Sequence, residues 1–371
     1  MYALTKKIDW ILVTAVFFLI SISILALYGF SIAAPERTFD PFSRQLLFIA
    51  IGIAAFLFFT FMDYGVLRSY STVLYFATIS LLFLTAVFGT IVRGTSGWIG
   101  VGAFHVQPVE FAKVVLIIFL AHFITKKRSE LGEALAMGAS LVFTIFIIAL
   151  VLVQPDVGSA VVLGIIWGGM IILSGVRKKY IVGLLIGIAI AASIGWFFLE
   201  DYQKARLHSF VEPTRDPRGD SYNVIQSMIA VGSGGFFGKG VGHGSQSQLH
   251  FLPERHTDFI FASIAEETGV VGIVVLLGLF LVVLYRMKCI ANAAQDNFGF
   301  FLVAGTMVML FAHIMINIGM NMGLVPVTGI PLPLISYGGS SFLSTCIALG
   351  IIMSVYRRRR TILRSHMTES Y

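Results

Sequence analysis

Four ionisable side chains, Glu254, Arg255, His256 and Asp258, fall within five positions of the stretch FLPERHTDFIFASIAEETGVVGIVVLLGLFLVVL, residues 251–284. Carboxylates and imidazoles move protons, and a guanidinium binds anions. Yet the rest of the stretch is mostly hydrocarbon, and each charge resists leaving water. Three other apolar runs open in a similar way. VQPVEFAKV carries Gln107, Pro108, Glu110 and Lys113, and VQPDVGSAV carries Gln154, Pro155, Asp156 and Ser159. PLPLISYGGSS carries Ser336, Tyr337, Gly338, Gly339, Ser340 and Ser341. Part of this is ordinary helix-start chemistry, with Pro near the first helical position and an acid in the first turn. Capping competes with function for Asp156, and Glu254 and Thr257 read as caps. His256 reads either as a second base or as a hydrogen-bonded helix-start residue. Lys113 is different. It sits one turn inside an apolar run, at i+3 from Glu110, so the two share a helix face. Ionisable groups inside a membrane segment are costly and mark functional sites by default, with a structural ion pair as the rival explanation. Glu266, near i+8 from Asp258, extends the polar positions into a stripe that faces a cavity.

The elements that position these groups come from composition. Of 371 residues, 57% are hydrophobic and only 12% charged, with mean hydropathy +0.89. Soluble domains carry roughly a quarter charged residues. A membrane-spanning helix needs about 20 apolar residues. Ten such runs are present: 10–33, 44–62, 70–92, 109–124, 135–153, 157–174, 180–199, 258–284, 298–322 and 337–356. They are continuous rather than alternating, which excludes a transmembrane β-barrel. The expectation is one all-α polytopic membrane domain over residues 1–371, with about ten transmembrane helices. One long extracytoplasmic loop, about 200–257, separates helices 7 and 8. The first run lacks an A-x-A-like site and is too long for a signal peptide, so it reads as a retained anchor. With the amino terminus cytoplasmic, sixteen of the 26 Lys and Arg residues fall on inner segments. Both termini are then cytoplasmic, and the net charge of +7 is a topology signal. Those basic residues are spread over six segments, which argues against a nucleic-acid partner. Cys289 and Cys346 have neither disulfide nor metal spacing.

Even-numbered helices begin on the outer side, where their amino termini carry partial positive charge and free N–H groups. Together with Lys113, Arg93, Arg206 and Arg255 they suit an anionic ligand at the outer membrane surface. A phosphorylated lipid fits better than a soluble anion, because the surrounding helices are so apolar. The glycine-rich VGSGGFFGKGVGHGSQSQ is not a phosphate loop of the Walker type. That spacing needs Gly at 233 and Ser or Thr at 240, and the chain has Ser233 and Gly240. Its glycines permit tight turns and close approach. YNVIQSMIAVGSGG reads as a short amphipathic interfacial segment. His243, His250 and His256 with Glu254 match no standard metal spacing. No cofactor is assigned, and a divalent cation stays an open alternative.

Five stretches, FLPERHTDFIFASIAEETGVVG, GDSYNVIQSMIAVGSGGFFGKG, VQPVEFAKV, VQPDVGSA and GIPLPLISYGGSSF, together resemble the SEDS family (shape, elongation, division and sporulation). They agree in order over residues from about 98 to 357, while the first 90 residues match in hydropathy alone. The Arg in LPERHTDF, the short termini and the tail SVYRRRR resemble the elongation branch more than the division branch. The resemblance implies ten transmembrane helices in the bacterial cytoplasmic membrane. It implies polymerisation of lipid II, an undecaprenyl-pyrophosphate-linked disaccharide peptide, into peptidoglycan at the outer face. It also implies a class B penicillin-binding protein transpeptidase and elongation-complex membrane proteins as partners. Carried over, the family's essential acid falls on Asp258, its motif acids and base on Glu110, Lys113 and Asp156, and its loop Trp on Trp98.

In that frame Asp258 takes a proton from the attacking sugar hydroxyl, a contribution of about 10² to 10⁴ in rate. Arg255 and Lys113 hold the pyrophosphate, with Gln107, Gln154, His256, Ser336 and Gly339 as further substrate-binding candidates. Glu110, Lys113, Asp156, Arg255 and Asp258 are expected to line one cavity open to lipid, roofed by a movable segment 232–244. Two alternatives stay open. A flippase would show inverted repeats and polar groups near midplane, and an idle scaffold would have no use for Asp258.

Orientation is checked by cysteine labelling on a background lacking Cys289 and Cys346. Arg215→Cys should react with an impermeant maleimide from outside, and Lys178→Cys should be protected. The reverse pattern would invert the topology.

Overall fold

The computed structural model describes residues 8–32, 41–92, 95–101, 104–195, 197, 204, 210, 221–248, 251–252 and 254–368. Arg93, Arg206, Arg215 and His250 lie outside the described residues. The helices are α1 (Trp10–Ile32), α2 (Pro41–Phe61), α3 (Tyr64–Phe88), α4 (Pro108–Leu131), α5 (Glu133–Val153), α6 (Val157–Leu173), α7 (Lys178–Gly195), α8 (Tyr222–Ser233), α9 (Ser245–Gln248), α10 (Ile260–Asn292), α11 (Asn297–Asn321) and α12 (Gly339–Thr368). Each of the ten apolar runs centres on one helix, α1 to α7 and α10 to α12, and the third run also takes in Thr90–Val92 beyond the end of α3. Among the described residues, eight helices are long and apolar enough to cross a membrane, and α6 is a shorter apolar one. Helices are the expected solution, since hydrocarbon offers backbone N–H and C=O groups no partner outside the segment itself. Helices α4, α11 and α12 are mostly buried and form the centre. Around them, α2, α3, α5 and α10 turn residues such as Phe58, Phe76, Val142 and Leu281 outward to lipid.

Between α3 and α4 the chain adds a feature absent from the sequence reading, a three-stranded antiparallel sheet. Its strands are β1 (Thr90–Val92), β2 (Thr95–Val101) and β3 (Phe104–Val106), in the order β1-β2-β3. Thr90 pairs with Trp98, and Ile99 with Val106. The β-branched residues of TIV and FHV suit strands, but their apolarity extended the preceding helical run to residue 92, whereas the helix ends at Phe88. This is the sheet end of the bundle. The opposite, basic end is tied by ion pairs. Arg286 on α10 holds Asp9 ahead of α1 (Nε–Oδ2 3.1 Å), Arg358 holds Asp63, and Arg68 faces Asp296 at 3.9 Å.

Helix α10 starts at Ile260, two residues later than the apolar run suggested, and it is broken at Gly269 (φ 65°). In an unbroken helix, Val270 and Val271 would donate to the carbonyls of Glu266 and Glu267. Here they donate to Gly235 and Phe236, at 3.0 and 3.2 Å. The released carbonyls of Glu266 and Glu267 accept from Lys239 and Gly240, both at 3.0 Å. The glycine-rich segment is thus inserted into the hydrogen-bond ladder of α10. The two side chains reinforce it: the Glu266 carboxylate takes Lys239 Nζ (2.8 Å) and the Gln246 N–H (2.9 Å), and Glu267 takes the Gly242 N–H (3.1 Å). This corrects two expectations. Segment 232–244 is a fastened strap rather than a movable roof, and Glu266 holds that strap instead of lining a cavity. The amphipathic segment before it forms α8, as expected.

Gly238 has φ 75°, and a Cβ there would lie 2.1 Å from the Glu267 carbonyl oxygen. Gly238→Ala should therefore cost about 1–3 kcal/mol from the left-handed conformation alone, and more from the clash. Thermal unfolding in detergent and protease sensitivity of the strap should both report it. Gly232→Ala, where a Cβ meets nothing within 4 Å, is the control expected to stay near wild type.

Candidate active site

Asp258 lies in the turn 254–259 at the sheet end, ahead of α10. The turn opens with Glu254 in a left-handed conformation, φ 53°. Its carbonyls at positions 256, 257 and 258 are held by α11 and by the segment between α11 and α12. The Ser336 hydroxyl donates to the Thr257 carbonyl (2.6 Å) and accepts from the Leu332 N–H (2.8 Å), and the Tyr337 N–H donates to the His256 carbonyl (2.9 Å). The Asp258 carbonyl receives two bonds from α11, from Asn317 Nδ2 and Asn321 Nδ2, each 3.0 Å. The Asp258 side chain keeps intermediate exposure, and its Oδ2 lies 3.6 Å from where a Cβ on Gly329 would stand. The φ of 70° at Gly329 is a backbone conformation that favours glycine there.

Lys113 is 0% exposed. Its ammonium meets Glu110 Oε1 at 2.8 Å and His313 Nε2 at 3.3 Å. An ammonium has no lone pair to accept with, so Nε2 of His313 is the acceptor in this contact. Complete burial turns Lys113 inward to Glu110 and His313 rather than toward the surface.

The remaining sequence-named residues divide by location. The Gln107 amide donates to Asp156 Oδ2 (3.1 Å), and the Gln107 N–H donates to Ser340 Oγ (2.9 Å), joining the starts of α4, α6 and α12. Asp156 is the N-cap of α6 and accepts the Ser159 N–H at 2.9 Å. Gln154 is buried and donates to the Leu82 carbonyl and Thr85 Oγ1, so it fastens α3 rather than facing a ligand. A Cβ on Gly339 would lie 2.5 Å from the Phe48 ring, so this glycine serves the packing of α12 on α2. Trp98 on β2 donates its indole N–H to Thr95 Oγ1 at 3.0 Å. Arg255 is buried with its guanidinium 4.9 Å above the Phe30 ring, which points it toward α1, and His256 packs edge-on against Tyr337. Asp258, Glu110 and Lys113 thus gather along α11, with Asp156 and Gln107 beside them, while Arg255 sits on the α1 side. Among the described residues no group of three or more His, Cys, Asp or Glu is placed to hold a metal ion. A cavity of about 780 Å³ opens at the basic end, between Arg177, Glu133, Thr125 and Phe300, and none of the residues named from sequence lines it.

Sequence reasoning missed His313, Asn317 and Asn321. The signal was present: in FAHIMINIGMN they recur at i, i+4 and i+8 inside an apolar helix, the spacing of one face.

These features define a polytopic integral membrane protein whose polar groups meet among the sheet-end halves of its central helices. The chain belongs to the FtsW, RodA and SpoVE family of cell-cycle proteins, whose model matches residues 9–361. It is 40% identical over 324 residues to the peptidoglycan glycosyltransferase MrdB of Escherichia coli, covering 87% of each chain. It is 39% identical over 370 residues to stage V sporulation protein E of Bacillus subtilis, covering 96% of this chain and 99% of that one. A structure described as coordinating polymerization and crosslinking in a peptidoglycan synthase complex superposes with TM-score 0.80 at 32% identity, covering 95% of this chain and 98% of the other.

Removing one partner of a buried ion pair strands the other charge, at about 3–5 kcal/mol. Lys113→Met should therefore melt well below wild type. The double variant Glu110→Leu with Lys113→Met should recover much of that loss. A double variant no more stable than Lys113→Met would remove the pair from its structural role.

Proposed function

We propose that this chain, a peptidoglycan glycosyltransferase, polymerises lipid II at the outer face of the bacterial cytoplasmic membrane, with Asp258 as general base. The observation that carries the proposal is the Asp258 turn, clamped through its carbonyls while its carboxylate stays partly exposed at the sheet end. In the reaction a sugar hydroxyl attacks the anomeric carbon of the glycan bonded to pyrophosphate. The new C–O bond forms as the bond to pyrophosphate breaks, and the hydroxyl proton passes to the Asp258 carboxylate. The polyprenyl pyrophosphate leaves with the electron pair. The amino termini of α4 and α12, joined through Gln107 and Ser340, add positive potential where that charge develops.

The excess of Lys and Arg at the basic end supports placing that end, and both termini, in the cytoplasm. The sheet, strap and Asp258 then face outward. The polar residues lie in the opening turns of α4 and α6 and the closing turns of α11 rather than at helix middles, which favours surface chemistry over lipid flipping. The likeness to a solved rod shape determining protein, RodA of Thermus thermophilus, supports an elongation role. The likeness to a synthase complex that couples polymerization to crosslinking supports a class B penicillin-binding protein as partner, within an assembly of other membrane proteins.

Asp258→Ala should abolish polymerisation of fluorescent lipid II by purified, folded protein, a loss of about 10² or more. Near-normal turnover in that variant would remove Asp258 from the role of base.

A further inference from the structure

Helix α10 has no side-chain cap of its own, because its N-cap residue is Phe259. The first N–H groups of a helix need acceptors. One is supplied from another helix: Asn321 Oδ1, near the end of α11, accepts the Ala262 N–H at 3.1 Å. The other half of the same amide, Nδ2, donates to the Asp258 carbonyl and to the Asn317 carbonyl (2.8 Å). Asn317 Nδ2 bridges the Asp258 carbonyl and the Ile330 carbonyl (2.8 Å). Both asparagines are fully buried. Ser227 on α8 donates to the Asn321 carbonyl at 2.8 Å, which locks the end of α11 from a fourth side. One turn before Asn317, His313 meets Lys113.

Two features of this arrangement go beyond what capping requires. A cap needs one acceptor, and Asn321 already provides it. The two donors converge on the carbonyl of one residue, Asp258, rather than being shared along the turn. They also come from consecutive turns of a helix whose next polar residue touches the buried ion pair. A carbonyl bonded from two rigid donors fixes the backbone of its residue, and with it the origin of the side chain. A displacement of about 1 Å at a reacting group can cost 10²-fold in rate.

We propose that Asn317 and Asn321 are positioning residues, which set the carboxylate of Asp258 against the attacking hydroxyl by clamping the Asp258 carbonyl. Helix α11 then acts as a ruler, registering Asp258 to the Lys113–Glu110 pair through His313. The proposal rests on Asp258 being the base, so the experiment separates the two. Asn317→Leu keeps the shape and removes both donors. Asn321→Asp keeps the Oδ1 that caps α10 and replaces the donor facing Asp258. Turnover and KM for fluorescent lipid II are measured beside the number of lipid II molecules bound per protein by native mass spectrometry. The expected result is a fall in kcat of about 10- to 100-fold in each variant, with KM and binding stoichiometry near wild type. Wild-type kcat in folded Asn317→Leu and Asn321→Asp, beside an inactive Asp258→Ala, overturns the positioning role alone. Parallel loss of kcat and binding stoichiometry also overturns it, since that marks a purely structural defect. If Asn317→Leu fails to fold, Asn321→Asp decides. An active Asp258→Ala rejects the base assignment, and the positioning role falls with it.

Discussion

The buried ammonium of Lys113 is the constraint to which the rest of the site answers. Taking such a charge out of water costs several kcal/mol even after relaxation. It must therefore be met by an opposite charge and by acceptors from neighbouring helices. Glu110 supplies the charge from the same helix, one turn away, and His313 supplies an acceptor from α11. That demand holds α4 and α11 side by side at one rotation. The same rotation aims Asn317 and Asn321, one and two turns further on, at the backbone of Asp258. A charged pair buried among helices and a carboxylate at the surface are thereby kept in register by one helix face.

The two ends of the bundle use different chemistry. The basic end is closed by ion pairs between elements far apart in sequence, such as Asp9 with Arg286. At the sheet end, polar groups mostly grip backbone. Ser336, Asn317 and Asn321 take the carbonyls of the Asp258 turn, and Glu266 and Glu267 take the strap. The asparagines and Ser336 are neutral, whereas the strap is held by carboxylates, with Glu266 also pairing with Lys239. The break at Gly269 belongs to the same end. It frees two carbonyls and two N–H groups near the membrane boundary, and the inserted strap satisfies all four without water.

Much of this was legible in the residues. Continuous apolar runs located the helices, eight of them long and apolar enough to span a membrane among the described residues, because a span in hydrocarbon admits no other solution for an unpaired backbone. The Glu110–Lys113 pair was readable from i+3 spacing, and capping was one of two competing readings of Asp156 from its place before an apolar run. Other features were misread for identifiable reasons. Thr90–Val92 is as apolar as the helix before it, so hydropathy merged a strand into that helix. Gln154, Ser336 and Gly339 were grouped with the substrate-binding candidates, yet their partners are Leu82, Thr257 and Phe48, far away along the chain. Arg255 was grouped with Lys113 as an anion grip, but its guanidinium stacks on Phe30 of α1.

What the sequence by itself determined is therefore the membrane class, the placement of the apolar helices and the polar groups at their ends. Each depends on local composition or on spacing within one helix, which neighbours in the chain enforce. Tertiary structure alone decided which of those polar groups face one another. The glycine-rich segment became a strap because α10 opens at Gly269 to accept it. Asn321 became a cap for α10 because α11 ends beside Ala262. Such pairings join residues tens to hundreds of positions apart. They are fixed only when helices pack at definite rotations, and no local pattern in a single chain encodes that rotation.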